Sequence, residues 1–172
     1  EHTAQVEAAL HDAQLALCLE PTDGIVHAGC VGGFQIRVTA LGRRAHSARP
    51  WQGDNAVLVA LPFLQRLAQL SPVEVTVAGL SFFDVTTVTQ AITTNSRNVV
   101  PDRLVLNVNH RFAPDRSLET ARQQILAQLL AATGGDPRRQ IEILDEAPPG
   151  AVCVDQPLLA AWLARERIGL AA

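Results

Sequence analysis

The chain contains no methionine, not even as a first residue. Opening on Glu1, it reads as an excised piece of a longer polypeptide. Cysteine is scarce: Cys18, Cys30 and Cys153 are odd in number, widely spaced and form no Cys-x-x-Cys pair. That spacing argues against a disulfide framework and a thiolate zinc knuckle, and a reducing, cytoplasmic setting is expected. No apolar run approaches the roughly 20 residues needed to cross a bilayer, so no membrane partner is expected. No charged-then-apolar leader opens the chain. There is no basic excess either: 14 Lys and Arg against 17 Asp and Glu leave a net charge of −3. No basic cluster is interleaved with aromatics, so no nucleic-acid partner is expected. Repeats and low-complexity tracts are missing.

What remains is 172 residues, 48% hydrophobic and 18% charged, enough for one ordinary domain with a core, or a domain plus pieces of another. Residues 3–13 are alanine-rich and helix-compatible. Leu15–Leu19 is a continuous apolar run of the kind that forms a buried parallel strand, ending at Glu20-Pro21. Phe34, Ile36, Val38 and Ala40 alternate, predicting a half-buried strand over 34–41. Residues 54–70 follow with Val57, Ala60, Leu61, Leu64, Leu67 and Ala68 at helical spacing, a cap at Asp54 or Asn55, and Pro62 as a kink or short break. Strands are predicted over 73–77, near 85–94 and over 103–112, the last with Leu104, Leu106 and Val108 on one side. A second helix, 118–132, carries Leu118, Ala121, Ile125 and Leu129. Gly134-Gly135 stops it, and a strand follows over 139–144. Pro148-Pro149-Gly150 is a linker-grade break before a helix over 156–168.

This order predicts an α+β fold with a ferredoxin-like arrangement, an antiparallel sheet carrying two helices on one face. Residues 29–147 form that domain. Residues 1–28 and 148–172 read as the two stubs of an α/β domain into which it is inserted.

Four residues could carry chemistry. His46 lies in Gly42-Arg43-Arg44-Ala45-His46-Ser47-Ala48-Arg49-Pro50, between a strand and a helix, where a side chain is both held and reachable. A solvated surface histidine would read the same way. Glu20 ends a buried strand, where α/β folds place ligands, or serves a turn or cap. Asn98 sits at a tight turn, for which a left-handed asparagine is sufficient reason. Arg111 shares a half-polar strand face with Val105, Asn107 and Asn109, suited to clamping a carboxylate bidentately, or to a surface salt bridge. Arg37, Arg43, Arg44 and Arg49 read as solvated. His2, His11, His27 and His110 have no metal-ligand spacing and read as structural or exposed.

The Gly42–Pro50 run with Gly53-Asp54-Asn55-Ala56 resembles the lid, or dimerisation, domain of the dinuclear-zinc deacylase and exopeptidase family. Leu19-Glu20-Pro21-Thr22-Asp23-Gly24, Arg97-Asn98-Val99-Val100-Pro101-Asp102 and Asn109-His110-Arg111-Phe112-Ala113-Pro114-Asp115-Arg116 fit the same family in the same order, nearest to its desuccinylase branch. The resemblance implies a parent amidohydrolase with two zinc ions that removes an acyl group, most simply succinyl, from a diamino acid of lysine and cell-wall precursor biosynthesis. N-acetylornithine deacetylase, other aminoacylases and carboxypeptidases of the family share the same motifs. It also implies a homodimer through the lid and a small acylated amino acid as substrate. By the same resemblance Glu20 is a terminal zinc ligand, and His46 reaches across the dimer to stabilise the oxyanion. Asn98 and Arg111 contact substrate, Arg111 through a carboxylate. The other metal ligands and the general base are expected outside these 172 residues, so the isolated chain is expected to be inactive and to bind no zinc. Thr93-Thr94-Asn95-Ser96-Arg97 departs from the glycine-rich stretch expected before the asparagine turn. A non-catalytic dimerising module is the alternative from another class.

Overall fold

The computed structural model describes residues 22–172. The helix expected over 3–13, the strand over 15–19, and Glu20 lie outside the described residues. Five strands, β2 Gly32–Leu41, β4 Val73–Val77, β5 Leu80–Ile92, β7 Arg103–Phe112 and β8 Arg139–Ala147, form one antiparallel sheet in the order β4-β5-β7-β2-β8. Helix α1, Ala56–Leu67, follows β2, and α2, Leu118–Thr133, follows β7. Without its edge strand β4, the succession β2-α1-β5-β7-α2-β8 is the expected ferredoxin-like unit.

The period-2 pattern of β2 is fully realised. Phe34, Ile36, Val38 and Ala40 are all buried to 1% exposure or less, as are Leu106, Val108 and Phe112 of β7. These residues meet Ala56, Val59, Ala60, Phe63 and Leu67 of α1 and Ala121, Ile125, Leu129 and Ala132 of α2 in one core. Both helices therefore cover the same face of the sheet.

Helix α1 differs from its expected form in two ways. It runs unbroken through Pro62, capped at its start by Asn55, whose Oδ1 accepts from Val57 N at 2.9 Å. Pro62 itself lies on the exposed side, where the carbonyl left without an i+4 donor is open to water. The buried stripe is also rotated from the expected one. Val59 and Phe63 point into the core, whereas Val57 and Leu61 stand 40% and 45% exposed beside Leu58 at 63%. Helix α1 is apolar on both sides, and periodicity alone could not choose between them.

The strand expected near 85–94 begins five residues earlier. Ala78 and Gly79, with φ of 50° and 81°, make the tight turn that folds β4 back on β5, as two-residue hairpins require. The end of α2 is closed by Gly134 in the left-handed conformation. Its last carbonyls accept from two arginines: Arg66 Nη1 reaches Ala132 O at 2.8 Å, and Arg139, itself 7% exposed, bonds Thr133 O and, through Nε, Val59 O of α1 at 2.8 Å. Carbonyls without intrahelical partners are thereby satisfied.

Outside the main sheet, β1, Val26–His27, and β9, Leu170–Ala171, pair in parallel. The third helix, α3, Pro157–Glu166, is capped by Gln156. Gly150 N donates to Cys30 O at 2.9 Å where the two connections run side by side. No helix of the described residues is long and apolar enough to cross a membrane.

His110 proves structural. It is 9% exposed, stacked with Phe34 and Phe112, and its Nδ1 lies 2.9 Å from Thr86 Oγ1. Burial pushes its pKa below the ordinary 6.5, with Asp84 opposing that shift and Arg116 adding to it. The unfolded chain therefore takes up a proton near the ordinary value before the folded chain does, and stability falls as pH drops from about 6.5 through the lower folded value. Urea titrations between about pH 7.5 and about pH 5 should show a steeper loss for the native chain than for His110→Gln, which carries no titrating ring.

Candidate active-site surface

Three chain segments converge at one end of the sheet, beyond Leu41 of β2. Strand β3, Ala45–His46, pairs antiparallel with β6, Val99–Val100, in the register Ala45↔Val100 and His46↔Val99. Ser47 N donates to Asn98 O at 2.8 Å, and Val99 N closes the preceding turn on Ser96 O at 3.0 Å. The third segment is anchored to both: Arg43 and Asp54 exchange backbone bonds of 2.8 and 2.9 Å, and Ala56 N donates to Pro101 O at 2.8 Å. Glycine is required where these segments touch. A Cβ on Gly42 would lie 2.1 Å from Asp54 O, and one on Gly53 2.6 Å from Arg43 O.

This junction carries both His46, opposite Val99, and Asn98, whose carbonyl meets the Ser47 amide, and both residues are exposed. Ala48 N donates to His46 Nδ1 at 3.0 Å. That nitrogen is an acceptor, so the neutral ring carries its proton on Nε2, a hydrogen-bond donor left for a ligand. Asn98 is not in the left-handed region, so turn geometry does not account for an asparagine there. Its side chain has no partner among the described residues. Trp51, in the short 3-10 turn Pro50–Gln52 after His46, is 74% exposed; nothing in the sequence pattern singles it out.

The sequence pattern assigns no role to Asp102, yet it binds the junction through both its backbone and its side chain. Its carbonyl accepts from Gly42 N at 2.7 Å. Its carboxylate accepts from Asn95 Nδ2 at 3.0 Å and pairs with Arg44 Nε at 2.7 Å. The Asn95 hydrogen bond holds the carboxyl below its ordinary pKa; partial burial opposes this, and the backbone and Arg44 add to it. Arg44, expected to be solvated, is exposed but paired. Arg37 is likewise paired, with Glu142 at 3.0 Å.

Arg111 stands at the other end of the sheet. Its guanidinium lies across β2 over Gly33, where an added Cβ would come within 2.9 Å of Nη1 and 3.3 Å of Cδ. It has no hydrogen-bond or ion-pair partner among the described residues, so the salt-bridge alternative is not what the structure shows. Next to it on the helix-free face runs a polar row in which Asn107 Nδ2 donates to Gln35 Oε1 at 2.9 Å and to Thr89 Oγ1 at 2.7 Å. The register Gly33↔Arg111 and Leu41↔Arg103 separates Arg111 from the start of the His46 junction by eight residue steps along the strand, roughly 26 Å at about 3.3 Å per residue. The structure thus brings His46 and Asn98 together and keeps Arg111 apart from them.

One cavity, of about 310 Å³, lies on the helix side around His110 and Arg116; another, of about 450 Å³, borders the junction through Gly53, Asp54 and Val100 and extends to Leu58 and Arg138. Neither contains His46, Asn98 or Arg111. Among the described residues no three His, Cys, Asp or Glu side chains are grouped so as to hold a metal, so these residues alone do not fit the zinc site that the resemblance implies.

Residues 30–136 match the family described as the peptidase dimerisation domain. The chain is 41% identical over 117 residues to succinyl-diaminopimelate desuccinylase of Corynebacterium glutamicum, covering 68% of this chain and 32% of that protein. It is 35% identical over 146 residues to a protein named as a probable carboxypeptidase of Aspergillus clavatus, covering 80% and 32%. The chain thus spans about a third of the length of these curated relatives. Among solved structures, an amidase of the hydantoinase/carbamoylase family from Burkholderia vietnamiensis superposes with a TM-score of 0.59 at 19% identity, covering 85% of this chain and 35% of that one; at that identity the likeness concerns the fold.

Gly42→Ala tests how tightly the junction is packed. The added methyl has only backbone to push against, so the variant should lose about 1–3 kcal/mol in denaturant unfolding.

Proposed function

The chain belongs to the peptidase dimerisation domain family, and from that premise we propose that it is the lid of an amidohydrolase that removes a succinyl group from a diamino acid. The observation that carries this reading is the fixed ring of His46. With Nδ1 occupied by the Ala48 amide, its Nε2–H is left to donate to a ligand, and the adjoining segment carries Asn98, whose side chain has no partner among the described residues. A donor held in advance where negative charge develops lowers the barrier to attack on an amide carbonyl. His46 would donate to the carbonyl oxygen as it becomes an oxyanion, and Asn98 would hold the substrate next to it. Arg111, unpaired over Gly33, would take the substrate's carboxylate in a bidentate grip. The hydrolysis also needs an activated water. The described residues hold no zinc site; its ligands, Glu20 among them, would belong to the intact protein.

A small acylated amino acid is shorter than the roughly 26 Å between Arg111 and the His46 junction. We therefore assign His46 and Asn98 of one copy to a substrate held by Arg111 of a second copy. A homodimer supplies that arrangement by symmetry. The apolar outer stripe of α1, Val57, Leu58 and Leu61, and the free edge of β4, where Val73 is 59% exposed, are the surfaces assigned to the contact, since an unpaired valine-rich edge invites another strand. We also take residues 29–147 as the inserted lid and the β1–β9 segments as parts of the catalytic domain. The exposed free thiols of Cys30 and Cys153 suit a reducing compartment.

The experiment is hydrolysis of N-succinyl, N-acetyl and peptidyl substrates by the full-length protein. Preferential turnover of the succinylated diamino acid supports the reading. Preference for a C-terminal peptide bond would favour the carboxypeptidase reading instead, to which the Aspergillus relative points. His46→Ala should lower kcat about 10²-fold or more with bound metal unchanged, whereas Arg111→Ala should chiefly raise KM. Equal loss of metal in both variants would mean that the two residues hold the fold rather than the substrate.

Sedimentation equilibrium should give a dimer at micromolar protein, weakened by Leu58→Glu and Leu61→Glu on the outer stripe. A monomer at all concentrations would remove the basis for a shared site.

A further inference from the structure

We propose that Asp102 is a positioning residue: its carboxylate clamps together the two segments that carry His46 and Asn98. This rests on the reading above that those two side chains face the reacting amide.

Strands β3 and β6 are two residues each, too short to fix their own register. Two backbone pairs leave little to resist fraying. A loop of polar residues, Thr93–Asn98, leads into β6, and Gly42–Arg44 leads into β3. Asp102 contacts both of these leading segments. Through Arg44 Nε at 2.7 Å it holds the strand that ends in His46, two residues on. Through Asn95 Nδ2 at 3.0 Å it holds the turn that presents Asn98, three residues on. Its backbone is fixed by the Gly42 bond at the end of the β2–β7 ladder, so the clamp is referred to the rigid sheet.

The state of Asn95 supports this assignment. Asn95 Oδ1 is buried without a partner. An amide left with an unsatisfied oxygen is unfavourable unless its other end is well used. Turning the amide over would set that oxygen against the Asp102 carboxylate, so the observed orientation is dictated by Asp102. The hydrogen bond from Ser47 N to Asn98 O at 2.8 Å joins the two clamped segments directly and reports on their alignment.

The test uses the full-length protein with Asp102→Asn, which keeps the shape and an acceptor but loses the charge facing Arg44, and Asp102→Ala, which loses both contacts. Hydrogen exchange at the Ser47 amide should accelerate about tenfold or more in Asp102→Ala, and less in Asp102→Asn, while the Leu106 amide in the central strand is unchanged. Turnover should follow the same order, kcat falling about tenfold in Asp102→Ala because a misplaced transition-state donor costs rate, with a smaller rise in KM as the Asn98 segment loosens. Unchanged Ser47 exchange in Asp102→Ala overturns the proposal. So does equal acceleration at Leu106, which would mark a general loss of stability. If the native protein hydrolyses no acylated amino acid, the functional reading fails by itself, and the exchange measurement still decides whether Asp102 is the clamp.

Discussion

The antiparallel ladder between β2 and β7 is the constraint on which the rest of the molecule depends. Ten consecutive pairs, from Gly32↔Phe112 to Leu41↔Arg103, run without a bulge, whereas the ladders on either side of it, β2–β8 and β5–β7, each contain a register shift. A one-residue slip in this pair would turn either Phe34, Ile36 and Val38 of β2 or Leu106 and Val108 of β7 out of the core. That cost locks the register, and the register locks the positions of both strand ends.

Everything of chemical interest hangs from those two ends. At one end Gly32 and Gly33 face opposite sides of the sheet: a Cβ on Gly32 would overlap the Phe112 ring at 2.1 Å, and one on Gly33 would crowd the Arg111 guanidinium. The missing side chains admit an aromatic ring into the core on one face and a cation onto the open surface on the other. At the opposite end, the Gly42–Asp102 bond hands the rigidity of the ladder to the β3–β6 pair. Side chains on short, exposed strands acquire fixed positions only because such anchors exist. The distance between the two groups is therefore set by strand length.

Much of the fold was legible because the signals were local. Alternation in 34–41 and 103–112 named the right inward residues, Gly134 marked the end of α2, and Asn55 was one of the two residues able to cap α1. The errors fall where a local pattern had two solutions. In helix α1 the expected Ala60 and Leu67 are buried and Leu64 packs against the core, but Val59 and Phe63 take the inward places expected for Val57 and Leu61. Both pairs are apolar, and the spacing alone does not choose between them. The extension of β5 back to Leu80 was hidden because Ala78 gives no turn signal, and a non-glycine at positive φ has no strong sequence signature.

The sequence by itself determined the order of the five main strands and the two helices on them, the inward faces of β2 and β7, and the short segments within residues 30–136 that mark the family, because periodicity, capping and turn chemistry act over a few neighbouring residues. Only the tertiary structure decided which proton His46 presents, that the Asn98 segment runs alongside the His46 strand, that Arg111 has no partner among the described residues, and that Asp102 ties Arg44 to Asn95. Each of these depends on backbone atoms or side chains brought close by the sheet register rather than by chain proximity: Ser47 meets Asn98, Gly42 meets Asp102 and Gly33 meets Arg111. No local signal encodes such meetings, since they exist only once the β2–β7 ladder has closed and its buried face has fixed which residues lie opposite one another.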